Sequence, residues 1–359
     1  MRQVTLDDVE DLTAGCGILG TGGGGHTYAG SLLVRQALEQ HGPVPLVDLA
    51  DLPQDGLVVP IGTIGAPTVG LEKLLAGTEA RRLCEHVEAR LGAPVVALMA
   101  VEIGGANGLK PVAFAADLGL PVLDADGMGR AFPEVQMVSM HVAGLPPGLV
   151  LVADVHGNVA SFEPVDELWA ERLARAAAVA FGGTAVEADW IMTAAQARGA
   201  VIVGTVTRAI ELGRALRRHA GEGLSTLLDQ LGAIALVEGK IVDVERRTAG
   251  GFVRGSVAVE GLGADAGRLL RVEIQNENLV ALEDGRMLAC VPDLISLIDD
   301  QSGQAVPTEL LRFGQRVAVI ALPCDPLWRT PRGLAVAGPR AFGYELDYVP
   351  VEEALVGRA

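Results

Sequence analysis

The segment Asp124-Ala125-Asp126-Gly127-Met128-Gly129-Arg130-Ala131-Phe132-Pro133-Glu134 places two carboxylates two residues apart at the end of an apolar run, followed by an arginine and a further acid. An apolar strand that ends in acids delivers them to a cleft of lowered dielectric, where proton affinities shift and acid/base or metal work becomes possible. Asp124 and Asp126 are therefore candidate catalytic residues. The competing reading is a solvated turn whose Asp caps the next helix and pairs with Arg130. Glu102, in Val101-Glu102-Ile103-Gly104-Gly105-Ala106-Asn107-Gly108, is the third candidate, because it stands among apolar residues and glycines with no obvious ion-pair partner nearby. Buried and unpaired it would be costly, so it should be paired in space, ligated or catalytic. Asn107 offers an amide donor and acceptor to the same site.

A second constellation is Gly15-Cys16-Gly17-Ile18-Leu19-Gly20-Thr21-Gly22-Gly23-Gly24-Gly25-His26, with glycine at seven of twelve positions. It leads into a helix-compatible run from Tyr28 to Gln40, so Gly22, Gly23, Gly24 and Gly25 are candidate ligand-binding residues through their backbone N–H groups. The plain alternative is a tight turn packing backbone on backbone. No nucleotide cofactor is expected. A phosphate-binding loop would end in Gly-Lys-Ser/Thr, and a dinucleotide fingerprint would follow a strand, whereas Val4 to Ala14 reads as helix.

His41, His86 and His219 stand in helix-end or charged contexts that suit surface residues. His26, His141 and His156 lie beside the glycine run, an apolar stretch and a strand end. None forms a His-x-His or His-x-x-x-His pair, so a metal site, zinc first among candidates, would be assembled from separate segments. The set considered is Asp126, His141 and His156, with Glu102, Asp124 and His26 as further donors. The four cysteines are scattered without ligand spacing, which a reducing compartment permits. Cys16 reads as a small buried hydrophobe, and Cys324, beside Asp325, as a poor nucleophile.

These residues must be held by elements, and composition bounds what kind. At 359 residues the chain can hold two domains, and 50% hydrophobic with only 4% aromatic residues and 46 glycines implies a core of Ala, Val and Leu with close backbone contacts. The net charge of −17, with no Lys/Arg cluster beyond Arg217, Arg218 and His219 at a helix end, argues against nucleic acid. No apolar run approaches the roughly 18 residues of a membrane span, and the polar, acidic start does not read as a signal peptide. A cytoplasmic protein is the expectation. Low charge with high apolar content also predicts a homo-oligomer.

The first part alternates strand-like and helix-like segments: strands at Leu57 to Ile61, Pro94 to Val101, Pro121 to Leu123 and Leu149 to Val155, helices at Gly70 to Gly92 and Gly108 to Leu118. This is an α/β pattern with an open sheet, and it places Glu102 and Asp124 at the sheet's ligand edge; Asp154 alternates outward. From Leu236 the period turns to two. Six short Val-rich segments between Lys240 and Leu322 predict an antiparallel sandwich or barrel, with a hairpin turn at 248–251. The expected division is residues 1–165 and 166–359, with helical Glu163 to Phe181 and Ile210 to His219 belonging to the second part. The loops Leu322 to Gly333 and Gly338 to Tyr344 suit a rigid concave surface or an interface.

The glycine run at 15–25, the carboxylate segment at 124–134, Gly314-Gln-Arg-Val-Ala-Val-Ile-Ala-Leu-Pro-Cys-Asp-Pro-Leu-Trp-Arg-Thr330 and Gly338-Pro-Arg-Ala-Phe-Gly-Tyr344 together resemble the S-methyl thiohydantoin desulfurase family, in order and over nearly the whole chain. The chain departs from the family pattern at His26-Thr27, where an acidic residue and proline are more usual. The resemblance implies an α/β domain followed by a β-rich one, and hydrolytic removal of a methylthio group from a hydantoin-like ring, a step in breakdown of S-methylated ergothioneine derivatives. It also implies association of some members with hydantoinase/oxoprolinase subunits, so a non-catalytic accessory subunit is the second reading and a regulatory small-molecule binding protein the third. In the implied reaction Asp124 or Asp126 serves as base, Glu102 as its partner or acid, Gly22 to Gly25 and Asn107 as substrate binders, and Arg130 as an anion clamp.

Overall fold

Residues 2–70, 72–218, 228, 231–249 and 252–354 are described by the computed structural model. The apolar runs of the first part become four parallel strands in the order β2 (Val44–Val47), β5 (Val122–Asp126), β4 (Val95–Ala100), β3 (Leu57–Gly65). Near-continuous Val, Leu and Ala suits strands covered on both faces. Helices Glu79–Leu91 and Lys110–Leu118 make the crossovers between β3 and β4 and between β4 and β5. Antiparallel strands complete a ten-stranded sheet: β1 (Arg2–Val4) on β2, then β8 (Thr184–Ala188), β6 (Val150–Ala153) and β7 (Val159–Phe162) beyond β3, with β9 (Met192–Thr193) on β3 and β10 (Ile202–Val203) on β5.

The period-two segments form a second sheet of seven antiparallel strands: β11 (Ile234–Ala249), β12 (Phe252–Gly261), β13 (Leu269–Gln275), β14 (Glu277–Glu283), β15 (Arg286–Cys290), β16 (Leu294–Asp299) and β17 (Arg316–Leu322), in the order β15-β14-β13-β12-β11-β17-β16. The sheet curls until β14 packs on β16, where Asn278 Nδ2 donates to Ile295 O at 3.0 Å. The fold class is therefore the α/β part with a β-rich part that the sequence pattern implies.

Several boundaries differ for physical reasons. The chain opens on β1, and the first long helix, α1 (Val9–Leu19), runs through Gly15, Cys16 and Gly17, so half of the glycine run is helical. α1 packs against the helix Thr205–Arg218 at backbone distance: a Cβ on Gly15 would stand 1.8 Å from Ala209 O, and one on Gly213 1.7 Å from Asp11 O. Asp124 lies within β5 rather than beyond it. Asp154 does not point outward. It is buried and accepts from the backbone N–H groups of His156 and Asn158 and from Asn158 Nδ2, which holds the β6–β7 turn.

Residues 166–220, expected with the second part, supply β8, β9 and β10 to the first sheet, and their helices Glu167–Ala180 and Thr205–Arg218 pack on its strands and on α1. Pairing with β8 covers the edge that apolar β3 would otherwise leave open. β16 was missed by alternation because Leu294-Ile295-Ser296-Leu297-Ile298 is buried on both faces. Residues 250 and 251 of the expected turn, and His219, lie outside the described residues.

The glycine at the helix contact sets a stability test. Gly15→Ala should cost about 1–3 kcal/mol in urea unfolding, as overpacking does. Gly17→Ala, whose Cβ meets Ala305 Cβ at 3.5 Å and Thr27 Cγ2 at 4.0 Å, both ordinary contacts, should be neutral or stabilising. Equal stability of the two variants would disprove the close approach.

Candidate functional site

The carboxyl ends of β3 and β4, the segment after β5 and the loop leading into α2 (Thr27–His41) surround a cavity of about 430 Å³. Parallel sheets open their ligand edge at this end. Glu187 of β8 and Glu277 of β14 complete the wall, so both sheets contribute. Leu32, Lys73, Leu74 and Leu75 also line it, and Leu74 is 77% exposed.

Asn107, in the short 3-10 turn Gly105–Gly108, organises the polar wall. Its Oδ1 accepts from Thr63 N at 3.0 Å and Thr63 Oγ1 at 2.7 Å, and its Nδ2 donates to Thr63 O at 3.2 Å and Glu102 Oε1 at 2.6 Å. Glu102 Oε2 accepts from Phe132 N at 3.2 Å. Lys110, at the start of its helix, donates to Thr63 Oγ1 at 2.5 Å and Asn107 Oδ1 at 3.2 Å. An ammonium has three N–H donors, so one remains for a ligand. Burial pushes the Glu102 carboxyl up to about 7, against the hydrogen bonds from Asn107 and Phe132 and the Lys110 charge. Burial also brings Lys110 down to about 8, opposed by Glu102. Burial thus shifts the two groups toward neutrality from opposite sides.

The glycine run serves both purposes raised by the sequence. Gly24 and Gly25 line the cavity. Gly22 and Gly23 instead pack beneath it, where a Cβ would strike Thr308 Cγ2 at 2.6 Å or Glu277 Oε1 at 1.9 Å. The run also interlocks with Gly104-Gly105: Ala106 N donates to Gly25 O and Asn107 N to Gly24 O, each at 3.1 Å. His26 caps α2, its Nδ1 accepting from Tyr28 N at 3.2 Å, and also faces the cavity.

Other candidates have different partners. Asp124 accepts from Arg2 Nη1 and from the backbone and hydroxyl of Thr207. The Asp126 carboxylate is taken by the N–H groups of Ile103, Met128 and Gly129 at 2.7–3.1 Å and does not line the cavity; it orients the loops that do. Arg130 is fully buried rather than an anion clamp at the cavity, for reasons of packing: it donates to Ala131 O, Pro292 O, Asp293 O and Thr21 Oγ1, with Phe132 4.6 Å beneath it. The donors considered for zinc are not brought together. His141 Nδ1 sits 3.0 Å from Gln136 O, His156 is exposed beside Asp154, and no group of three His, Cys, Asp or Glu side chains suited to a metal occurs among the described residues. All four cysteines are free and buried. The aromatic loop after β17 is an internal interface, with Trp328 Nε1 donating to Met128 O at 2.7 Å.

Sequence reasoning missed Thr63, Lys110, Glu187 and Glu277. One signal was available for Lys110: of the 28 basic Lys and Arg residues only three are lysine, Lys73, Lys110 and Lys240, and two of these three line the cavity. Lysine, unlike arginine, loses its proton readily when buried, and burial lowers Lys110.

Comparison with functionally curated proteins gave no match. Among solved structures, a crystal structure of a protein from Chromobacterium violaceum is similar at 26% identity and TM-score 0.81, covering 98% of this chain and all of that one. Two family descriptions match: S-Me-THD-like, N-terminal domain, over residues 7–164, and S-Me-THD-like, C-terminal domain, over residues 165–351. Matched in order by both halves, the chain belongs to the S-Me-THD-like family.

Proposed function

We propose that this protein hydrolyses the carbon–sulfur bond of an S-methyl thiohydantoin-type ring, releasing methanethiol and leaving a hydantoin. The family description supports the substrate class. The observation that carries the reaction is the linkage of the Glu102 carboxyl and the Lys110 amine through Asn107 in one cavity, where burial raises the first and lowers the second. The ring carbon bearing sulfur is amidine-like. Glu102 takes a proton from water as its oxygen adds to that carbon, and the C–S bond then breaks as Lys110 gives its free N–H proton to the departing thiolate. Of the two hydrogens of water, one ends on the thiol and one on the ring nitrogen. Gly24 and Gly25 line the same cavity and hold the ring, while Asn107 fixes the positions of Glu102 and Lys110. Asp124, Asp126 and Arg130 act on this reading as supports of the loops rather than as contacts to substrate.

The purified chain should release thiol from S-methyl thiohydantoin, measured with a chromogenic thiol reagent. Glu102→Gln and Lys110→Met should each lower kcat by about 10²–10⁴-fold, the range of one general acid or base, while folding normally. No thiol from the wild-type chain alone would favour the accessory-subunit reading, and wild-type turnover in either variant would remove that residue from the mechanism.

The pH profile follows from the two groups. A base raised to about 7 is active only above that value, and an acid lowered to about 8 donates only below it, so kcat/KM against pH should be a narrow bell with limbs near 7 and 8. Residual activity of Glu102→Gln should lack the acidic limb and that of Lys110→Met the basic limb. A flat profile from pH 5 to 10 would refute the assignment.

A further inference from the structure

Glu187 reaches the cavity from β8, and Asp189 follows two residues later, just past the strand end. Both are buried, Asp189 completely. Glu187 Oε2 and both Asp189 oxygens are sealed from solvent without a hydrogen-bond donor among the described residues. The surroundings supply little positive charge. Arg175, on the helix packed against this edge, is held by the Glu171 carboxylate and Pro133 O. The other charged groups that act on the pair are Glu171 itself and, across the cavity, Glu102, both acids. Two ionised carboxylates in such a place would carry two desolvated charges with no donor to either. One proton held by the pair removes one of the two charges and supplies a donor where the described residues supply none.

We propose that Glu187 and Asp189 hold one proton between them at neutral pH, and that Glu187 presents it to the cavity as a hydrogen-bond and proton donor to a ring nitrogen that carries no hydrogen. Burial, with the adjoining Asp189 and Glu171 charges, pushes Glu187 well above the usual carboxylate range, in the same direction. Asp189 is a positioning residue, acting through Glu187.

The choice of acceptor rests on the hydrolytic reading above. There the C=N electrons move onto nitrogen as water oxygen bonds to carbon, and nitrogen takes the Glu187 proton while Glu102 takes one from water. When the C–S bond breaks, the new hydroxyl returns its proton to Glu187 as the carbonyl forms, and the thiolate is protonated by Lys110. Transfer from Glu102 back to Lys110 restores the starting state. Every proton is accounted for, and no oxidant or reductant is needed.

The proton itself is tested without any substrate. Infrared difference spectra at neutral pH, wild type minus Glu187→Gln, should show a protonated-carboxyl carbonyl band that shifts in heavy water, and Asp189→Asn should lose the same band. Superimposable wild-type and Glu187→Gln spectra would overturn the shared proton whether or not Asp189→Asn folds, and an unchanged band in folded Asp189→Asn would overturn the sharing. In the thiol-release assay both variants should fall at least tenfold in kcat. In Asp189→Asn, whose amide can stabilise the Glu187 anion, activity should also decline at lower pH than in wild type. Loss of the band with wild-type turnover in Glu187→Gln would overturn donation to the ring. Absence of thiol release from wild type would defeat the hydrolytic reading and, with it, the assignment of the acceptor, while the spectra still judge the pair.

Discussion

The arrangement depends on one buried guanidinium. Arg130 leaves the end of β5 and reaches the cis Val291-Pro292 turn of the second sheet, where Pro292 O and Asp293 O accept its protons, and it holds Thr21 of the glycine run from the other side. A charge with no solvent contact needs acceptors and counter-charges around it; carbonyls accept from the planar fork in fixed directions, and the Glu277 and Asp293 carboxyls act on its charge. Three segments far apart in sequence are thereby set relative to one another. The rest of the seam follows from that placement: Asn278 N donates to Thr21 O and Thr308 N to Gly22 O, each at 2.8 Å, which lays the glycine run along the edge of β14. Phe132, beneath the guanidinium, then offers its own N–H to Glu102.

Much of the fold was legible because burial on both faces and alternation leave different marks. β4 and β5 read as apolar runs ended by acids, and β12 and β13 as Val-rich alternation. Local pattern does not show which sheet an element joins when its partner is distant in sequence. The allegiance of residues 166–220 turns on β8 pairing with β3, more than a hundred residues earlier, and no local period encodes that. The helical half of the glycine run was hidden because glycine is a poor helix former in isolation. Its place is fixed by how closely Ala209 approaches.

The site was legible in part. Glu102 stood out as an acid without a local partner, and the fold gives it Asn107, five residues on, which the same stretch of sequence displayed. Asp126 and Arg130 stood out for the same reason, being charged groups among apolar ones, yet their burial is satisfied by backbone groups that no sequence pattern reveals. Glu187 and Glu277 sit in ordinary strand contexts, so only the meeting of the two sheets marks them. Residue type alone separates a buried charge that supports from one that reacts poorly; the number of donors around it separates them better.

The wall shared by two sheets makes the cavity depend on both. Glu277 comes from β14, and the Gly23 backbone is shaped around its carboxyl. With only the first sheet in place the cavity would lack the side that Glu277 supplies. The first sheet brings Glu102 and Lys110 to the cavity, and β14 of the second completes their enclosure.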